Sequence, residues 1–275
     1  MRSVAVLASL AAAGCQTYAQ HRAALVPHST GMLTDGQPLD QIAQIGLGAS
    51  NIADPVAPTA GAPNVGDAVP GTQLRGELAL RINEHASVWL AGEQGFAATA
   101  HAVTSTQPPI DNGDVYGGGG GMSIYIHDRT WHPELAIAVS TELLIWNVPW
   151  VQYNTCIQNC SVPGFTFSEK GADTEPTLAF DITPSYRIGA FTVFGGMTIR
   201  NQPTVDEKDV SNVPGDANVT VGPYNVTLHA GIEYEIVHAL KVMLSVHQTV
   251  TADPIDYGPG IALMIHTPFG GGPAH

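Results

Sequence analysis

Charge is scarce in this sequence. Asp, Glu, Lys and Arg make up 12% of 275 residues, about half the ~25% of an ordinary soluble domain, too little for a well-solvated surface. Positive charge is scarcest. Ten Lys and Arg stand against 24 Asp and Glu, a net charge of −14, which argues against nucleic-acid binding and against docking on anionic lipid through a basic patch. No stretch approaches the ~18–20 consecutive apolar residues of a spanning helix. The run Gly117–Gly121 is followed by neither Lys-Ser/Thr nor a helical pattern, so it is no phosphate loop; it reads as a kinked or closely packed strand. The three cysteines form no Cys-x-x-Cys pair, and no His or further Cys lies near Cys156 and Cys160. Redox and zinc motifs are therefore missing, and no cofactor or metal is expected.

Glycine (30) and proline (20) are abundant instead, which disfavours long helices and points to strands and turns. The N-terminus opens with one arginine and an apolar run ending in small residues, a secretory signal over residues 1–14. Ala12-Ala13-Gly14-Cys15 resembles the bacterial lipoprotein cleavage box, which implies acylation of Cys15. Ala12 departs from it, since Leu is more usual there, and ordinary cleavage after Ala19 is the alternative. Residues 15–40 carry no clear period and read as a periplasmic tether. An exported chain lives where disulfides persist, so Cys156 and Cys160 are expected to bridge within a long loop.

The clearest pattern lies between Tyr224 and Val250. Val226, Leu228, Ala230, Ile232, Tyr234 and Ile236 alternate with Thr227, His229, Gly231, Glu233 and Glu235. Leu240, Val242, Leu244 and Val246 then alternate with Lys241, Met243, Ser245 and His247. A period of two means β-strand, and both strands exceed the usual ~5–6 residues. A three-residue turn sets Ile236 opposite Leu240, Glu235 opposite Lys241, Gly231 opposite Ser245, His229 opposite His247 and Thr227 opposite Thr249. A second hairpin, around residues 83–85, pairs Ile82 with Ala86, Ala79 with Trp89 and Arg75 with Glu93, an attractive cross-strand pair. Further strands are expected near 116–126, 135–146, 178–183, 191–200 and 257–267, with a weaker first strand over 41–52.

Connections alternate in length. Short turns fall near 83–85, 127–134, 187–190 and 237–239; long loops fall near 51–72, 98–113, 147–176 and 201–222. This pattern resembles the bacterial outer-membrane β-barrel family, with short periplasmic turns and long external loops. The resemblance implies an all-β fold: a closed antiparallel up-and-down transmembrane β-barrel of about ten strands over residues 41–269, with eight or twelve as alternatives. It further implies an outer-membrane location with the N-terminus periplasmic, apolar faces toward lipid, and a C-terminal tail at 270–275. Trp146, Trp150, Tyr153, Tyr234 and Tyr257 are expected at the membrane interfaces. The structural rival is a soluble lipid-anchored barrel that binds a small ligand.

The inward face then carries Arg75, Glu77, Arg81, Glu93, Glu142, Asp181, Arg200, His229, Glu233, Glu235, Lys241 and His247. Such a porin-like barrel implies a narrow passive channel for small solutes or cations. The alternative is a structural or interaction barrel with a packed lumen and functional loops. A membrane-embedded hydrolase is the weakest reading, because no Asp-x-His or His-x-Ser arrangement is visible. Lipid and small ions or solutes are the expected partners.

Overall fold

The computed structural model describes residues 16–22, 36–52, 68–69, 72–96, 99–100, 110–111, 114–128, 130, 132–156, 165–201, 224–250 and 259–270. Ten long strands form the fold: β1 Ala43–Ile52, β2 Thr72–Asn83, β3 Ala86–Phe96, β4 Val115–Asp128, β5 His132–Cys156, β6 Phe165–Ile188, β7 Phe191–Asn201, β8 Tyr224–Val237, β9 Leu240–Val250 and β10 Gly260–Phe269. Each pairs antiparallel with its neighbours in sequence, and β10 returns to β1 from Phe269↔Ala43 to Gly260↔Ile52. The sheet is a closed ten-stranded up-and-down barrel. Closure leaves no unpaired edge within the ring, the condition for a sheet surrounded by lipid.

Alternation decides which face is which, and the barrel is inside out relative to a soluble one. Leu47 and Leu90 are 65% and 68% exposed, and Leu74, Ile124, Leu143, Ile145, Leu228, Val246 and Ile261 are exposed with them. Ser123, Ser140, Asp181, Thr183, Thr198, Thr227 and Ser245 are buried on the opposite face. An apolar band this continuous far exceeds the patches that soluble monomers leave in water; its solvent is the bilayer core. The soluble ligand-binding barrel would need these faces reversed. Tyr186, Phe191, Tyr234 and Phe269 stand outward at the ends of β6, β7, β8 and β10 that carry the short turns, with Phe191 stacked on Tyr234 at 4.6 Å. Tyr116 and Tyr224 stand outward at the other end, so aromatics border the band on both sides.

The two hairpins keep the expected register over most of their length: Glu235↔Lys241, His229↔His247 and Thr227↔Thr249 in one, Arg75↔Glu93 and Ala79↔Trp89 in the other. Their turns differ. Val237, not Ile236, stands opposite Leu240, and Asn83, not Ile82, opposite Ala86. Each hairpin closes with two residues and takes up the extra one as a bulge, a common device at strand ends.

The long loop expected at 147–176 is largely strand. β5 and β6 stay paired from Leu135↔Tyr186 to Thr155↔Phe165, well past the ends of β4 and β7. The apolar–polar contrast is lost there. On β5, Leu144, Trp146 and Val148 point inward and Leu143 and Ile145 outward. On β6, Asp173 and Glu175 alternate with exposed Ala172, Thr174 and Pro176, so neither stretch shows an apolar face against a polar one.

At this loop end, Gln16–Arg22 pairs with Trp150–Cys156 of β5, so part of the expected tether is strand. Ala68–Val69, Thr99–Ala100 and Ile110–Asp111 pair with one another in a small separate sheet. At the opposite, turn end, residues 36–42 bond to β2, β5, β6 and β9. Cys15 and Cys160 lie outside the described residues, and with them the lipid attachment and the Cys156–Cys160 bridge.

Candidate functional site

The barrel interior is filled by side chains, and rings are fitted there by one rule. Trp89 stands directly opposite Gly121, Trp146 opposite Gly117, Phe194 opposite Gly231, His229 opposite Gly196, His247 opposite Gly260 and His266 opposite Gly46. In every pair, a Cβ on the glycine would crowd the facing ring. The five-glycine run of β4 is thus the floor beneath two indoles. Ala79, Ala91, Val115, Leu144 and Val148 complete an apolar cluster around those indoles, with Leu39 packed against it. Phe194, Met243, Ala262 and Met264 form a second cluster. Trp146, expected at an interface, is only 3% exposed and belongs inside; its indole N–H donates to Thr177 Oγ1 at 2.9 Å.

Between the apolar clusters runs a line of charge. Arg75 on β2 is its hub: its guanidinium pairs with Glu93, reaches Glu142 Oε2 at 2.5 Å and Glu77 Oε2 at 3.4 Å. Arg200 Nη2 meets the other oxygen of Glu142 at 3.2 Å, and Trp89 Nε1 donates to Glu142 at 3.4 Å. In the other direction, His266 Nε2 lies 3.7 Å from Glu77 and its Nδ1 2.9 Å from Glu233. Lys241 Nζ joins Glu233 at 3.3 Å to Asp40 at 3.2 Å, and both Asp40 oxygens receive Arg187 nitrogens at 3.3 Å. The order is Arg200, Glu142, Arg75, Glu77, His266, Glu233, Lys241, Asp40, Arg187. Base and acid alternate throughout, from the loop half of the barrel to its turn end. A charge taken from water costs several kcal/mol unless paired and hydrogen-bonded, and alternation gives each carboxylate bases on two sides.

Of the residues assigned to the inner face, Arg75, Glu77, Glu93, Glu142, Asp181, Arg200, His229, Glu233, Lys241 and His247 are at most 7% exposed, while Arg81 and Glu235 are half-buried at the turn end. Glu235 stands opposite Lys241 in register, yet meets His238 at 2.6 Å while Lys241 turns to Glu233 and Asp40. Sequence reasoning missed His266, Arg187 and Asp40. The first two share strand parity with Met264 and with Asp181, which could have revealed them; Asp40 lies before β1, where no period exists.

Asp181 anchors a separate cluster. Thr183 and Thr198 hydroxyls donate to its two oxygens at 2.6 and 2.7 Å. His229 Nε2 lies 3.0 Å from Thr183 Oγ1, and its Nδ1 3.8 Å from Asp181. Hydroxyl, imidazole and carboxylate come together, but the Thr183 hydroxyl is directed at Asp181 and the residue is 0% exposed. Among the described residues, no group of three or more His, Cys, Asp or Glu is arranged to hold a metal.

No protein-family model matches the chain, and no curated protein matches it in sequence. Among solved structures it is similar to the translocator domain of the autotransporter NalP from Neisseria meningitidis, at 9% identity over 86% of this chain and 92% of that one, TM-score 0.47. It is also similar to LpxR from Salmonella typhimurium, at 9% identity over 82% and 100% of the two chains, TM-score 0.44, and to the KdgM porin, at 10% identity over 82% and 99%, TM-score 0.34.

Proposed function

We propose that this chain is an outer-membrane barrel with its short turns in the periplasm, acting as a narrow, cation-preferring channel for small ions or solutes. The observation that carries the reading is the continuous row of ionisable side chains inside a lipid-facing barrel. Apolar residues of similar volume would fill the same space at equal or lower free energy, and ionisable groups at membrane depth mark ion or substrate pathways by default. Five buried carboxylates, Glu77, Glu93, Glu142, Asp181 and Glu233, stand against three buried cations, Arg75, Arg200 and Lys241, and the mouth adds a pair of each sign, Asp40 and Glu235 against Arg187 and Arg81. A low-dielectric wall focuses that excess and concentrates cations.

A second reading, a packed barrel whose loops are the working part, is favoured by the low exposure of the interior and by the small sheet that the loops build. Current through the purified protein in planar bilayers separates the two. Discrete conductance steps support the channel. A protein that inserts into the bilayer and stays electrically silent under every condition favours the packed barrel.

A further inference from the structure

The segment before β1 does more than lead into the barrel. In a ring of ten strands, β1 and β6 lie on opposite sides. Gln37 is held at β5 and β6, donating to Ser185 Oγ at 2.9 Å and to the Glu134 carbonyl at 3.1 Å, whereas the chain enters β1 at Ala43. Residues 37–43 therefore cross the turn-end mouth from wall to wall; six peptide steps reach at most about 20 Å. Gly36 starts the crossing with φ +83, where a Cβ would overlap Ser185 and the Thr183 carbonyl. Leu39 packs on the apolar cluster inside. Asp40 is caught between Arg187 of β6 and Lys241 of β9. Arg81 Nη1 reaches the Asp40 carbonyl and Gln41 Nε2 the His238 carbonyl, each at 3.5 Å.

We propose that residues 36–42 are a gate strap across this mouth, with the Asp40 carboxylate in its Arg187–Lys241 cradle as the catch. A linker with no task at the mouth would have no reason to bury Gln37 to 5% exposure or to draw on β2, β5, β6 and β9. Most of the holding contacts are made by side chains, and the catch is a pair of exchangeable ion pairs at a half-exposed carboxylate. The strap is therefore the part of the closed interior that can leave without breaking the barrel's backbone ladder. Release gives up the catch on Asp40, the anchor at Gln37, the packing of Leu39 and the two long bonds to the Asp40 and His238 carbonyls. The inference rests on the channel reading above: the strap closes what that reading opens.

The test uses the full chain with Cys15, Cys156 and Cys160 replaced by Ser, in planar bilayers. Asp40→Asn removes the catch and should raise the fraction of time open about five-fold or more, the lower end of coupling for a two-state element. Arg187→Gln cuts the same catch from the barrel side and should act alike. Gln37→Cys with Ser185→Cys, oxidised, should hold the mouth shut, and reduction should restore current. A separate readout does not depend on current: a cysteine introduced at Gln41 should react faster with a membrane-impermeant maleimide when Asp40 is Asn. If the starting protein conducts, and neither the catch variants nor the cross-link changes its current, the strap is no gate and the channel reading stands. If maleimide reactivity rises while every variant stays silent, the gate and the channel reading fall together.

Discussion

Trp146 lies across Gly117. The two are directly paired between β5 and β4, and a Cβ on Gly117 would overlap the indole. The next residue, Gly118, faces outward, and a Cβ there meets nothing closer than the Ala91 carbonyl at 3.7 Å. Neighbouring glycines should thus respond in opposite ways. Gly118→Ala is expected to leave stability unchanged or raise it by about 0.5–1 kcal/mol, the usual cost of glycine in a strand. Gly117→Ala should lower it by about 1–3 kcal/mol, the range for overpacking. Urea unfolding in lipid vesicles measures both; equal effects would mean that the ring-over-glycine account is wrong.

Arg75 holds three carboxylates at once. Arg75→Met should destabilise the barrel by about 3–5 kcal/mol, because it leaves buried carboxylates without their cation. Adding Glu93→Gln and Glu142→Gln to that variant should recover much of the loss. The same unfolding measurement decides. A single substitution without effect would mean that the hub is hydrated and not a buried pair network.

Acid should loosen Asp40. Partial burial pushes its carboxyl up, but the charges of Lys241 and Arg187 outweigh this and hold it below its ordinary 3.8. A depressed carboxyl contributes its full stabilisation above that value and loses it as pH falls through the lower folded one. Arg187, Lys241 and Arg81 face the strap, and Glu233 and Glu235 face Lys241. The wild type should therefore show a step in open fraction below about pH 3.8 that Asp40→Asn lacks. Identical acid profiles would assign the step to another group.

Two expectations concern cysteines. Mass spectrometry of the non-reduced, exported protein should find Cys156 joined to Cys160, whose short loop gives less than the ~3 kcal/mol that chain entropy assigns to a loop of about fifteen residues; two free thiols would contradict it. A fatty-acid analogue should label the wild type and not Cys15→Ser, and equal labelling would exclude acylation at Cys15.

Much of the barrel was legible because lipid and interior impose opposite chemistry on alternate residues. That contrast fixed the registers Arg75↔Glu93 and His229↔His247. It failed where the two faces no longer differ, so β5 beyond Trp146 and β6 before Leu178 read as loop, and Trp146 as an interface residue. It was also blind to the bulges at Ile82 and Ile236, which arise from turn geometry and leave no mark on the pattern. Six of the nine residues in the charged row, Arg200, Glu142, Arg75, Glu77, Glu233 and Lys241, follow from strand parity. His266 and Arg187 carry the same parity on β10 and β6, whereas Asp40 comes from a segment with no period at all.

A conducting interior with an excess of negative charge should prefer cations. That preference is tested most directly by the reversal potential of the purified protein in a potassium chloride gradient across a planar bilayer. The potential should have the sign of cation preference and shrink as salt screens the interior charges. The preference should weaken in Glu142→Gln with Glu233→Gln and strengthen in Lys241→Gln. An anion-selective potential, or one that ignores these substitutions, would contradict it.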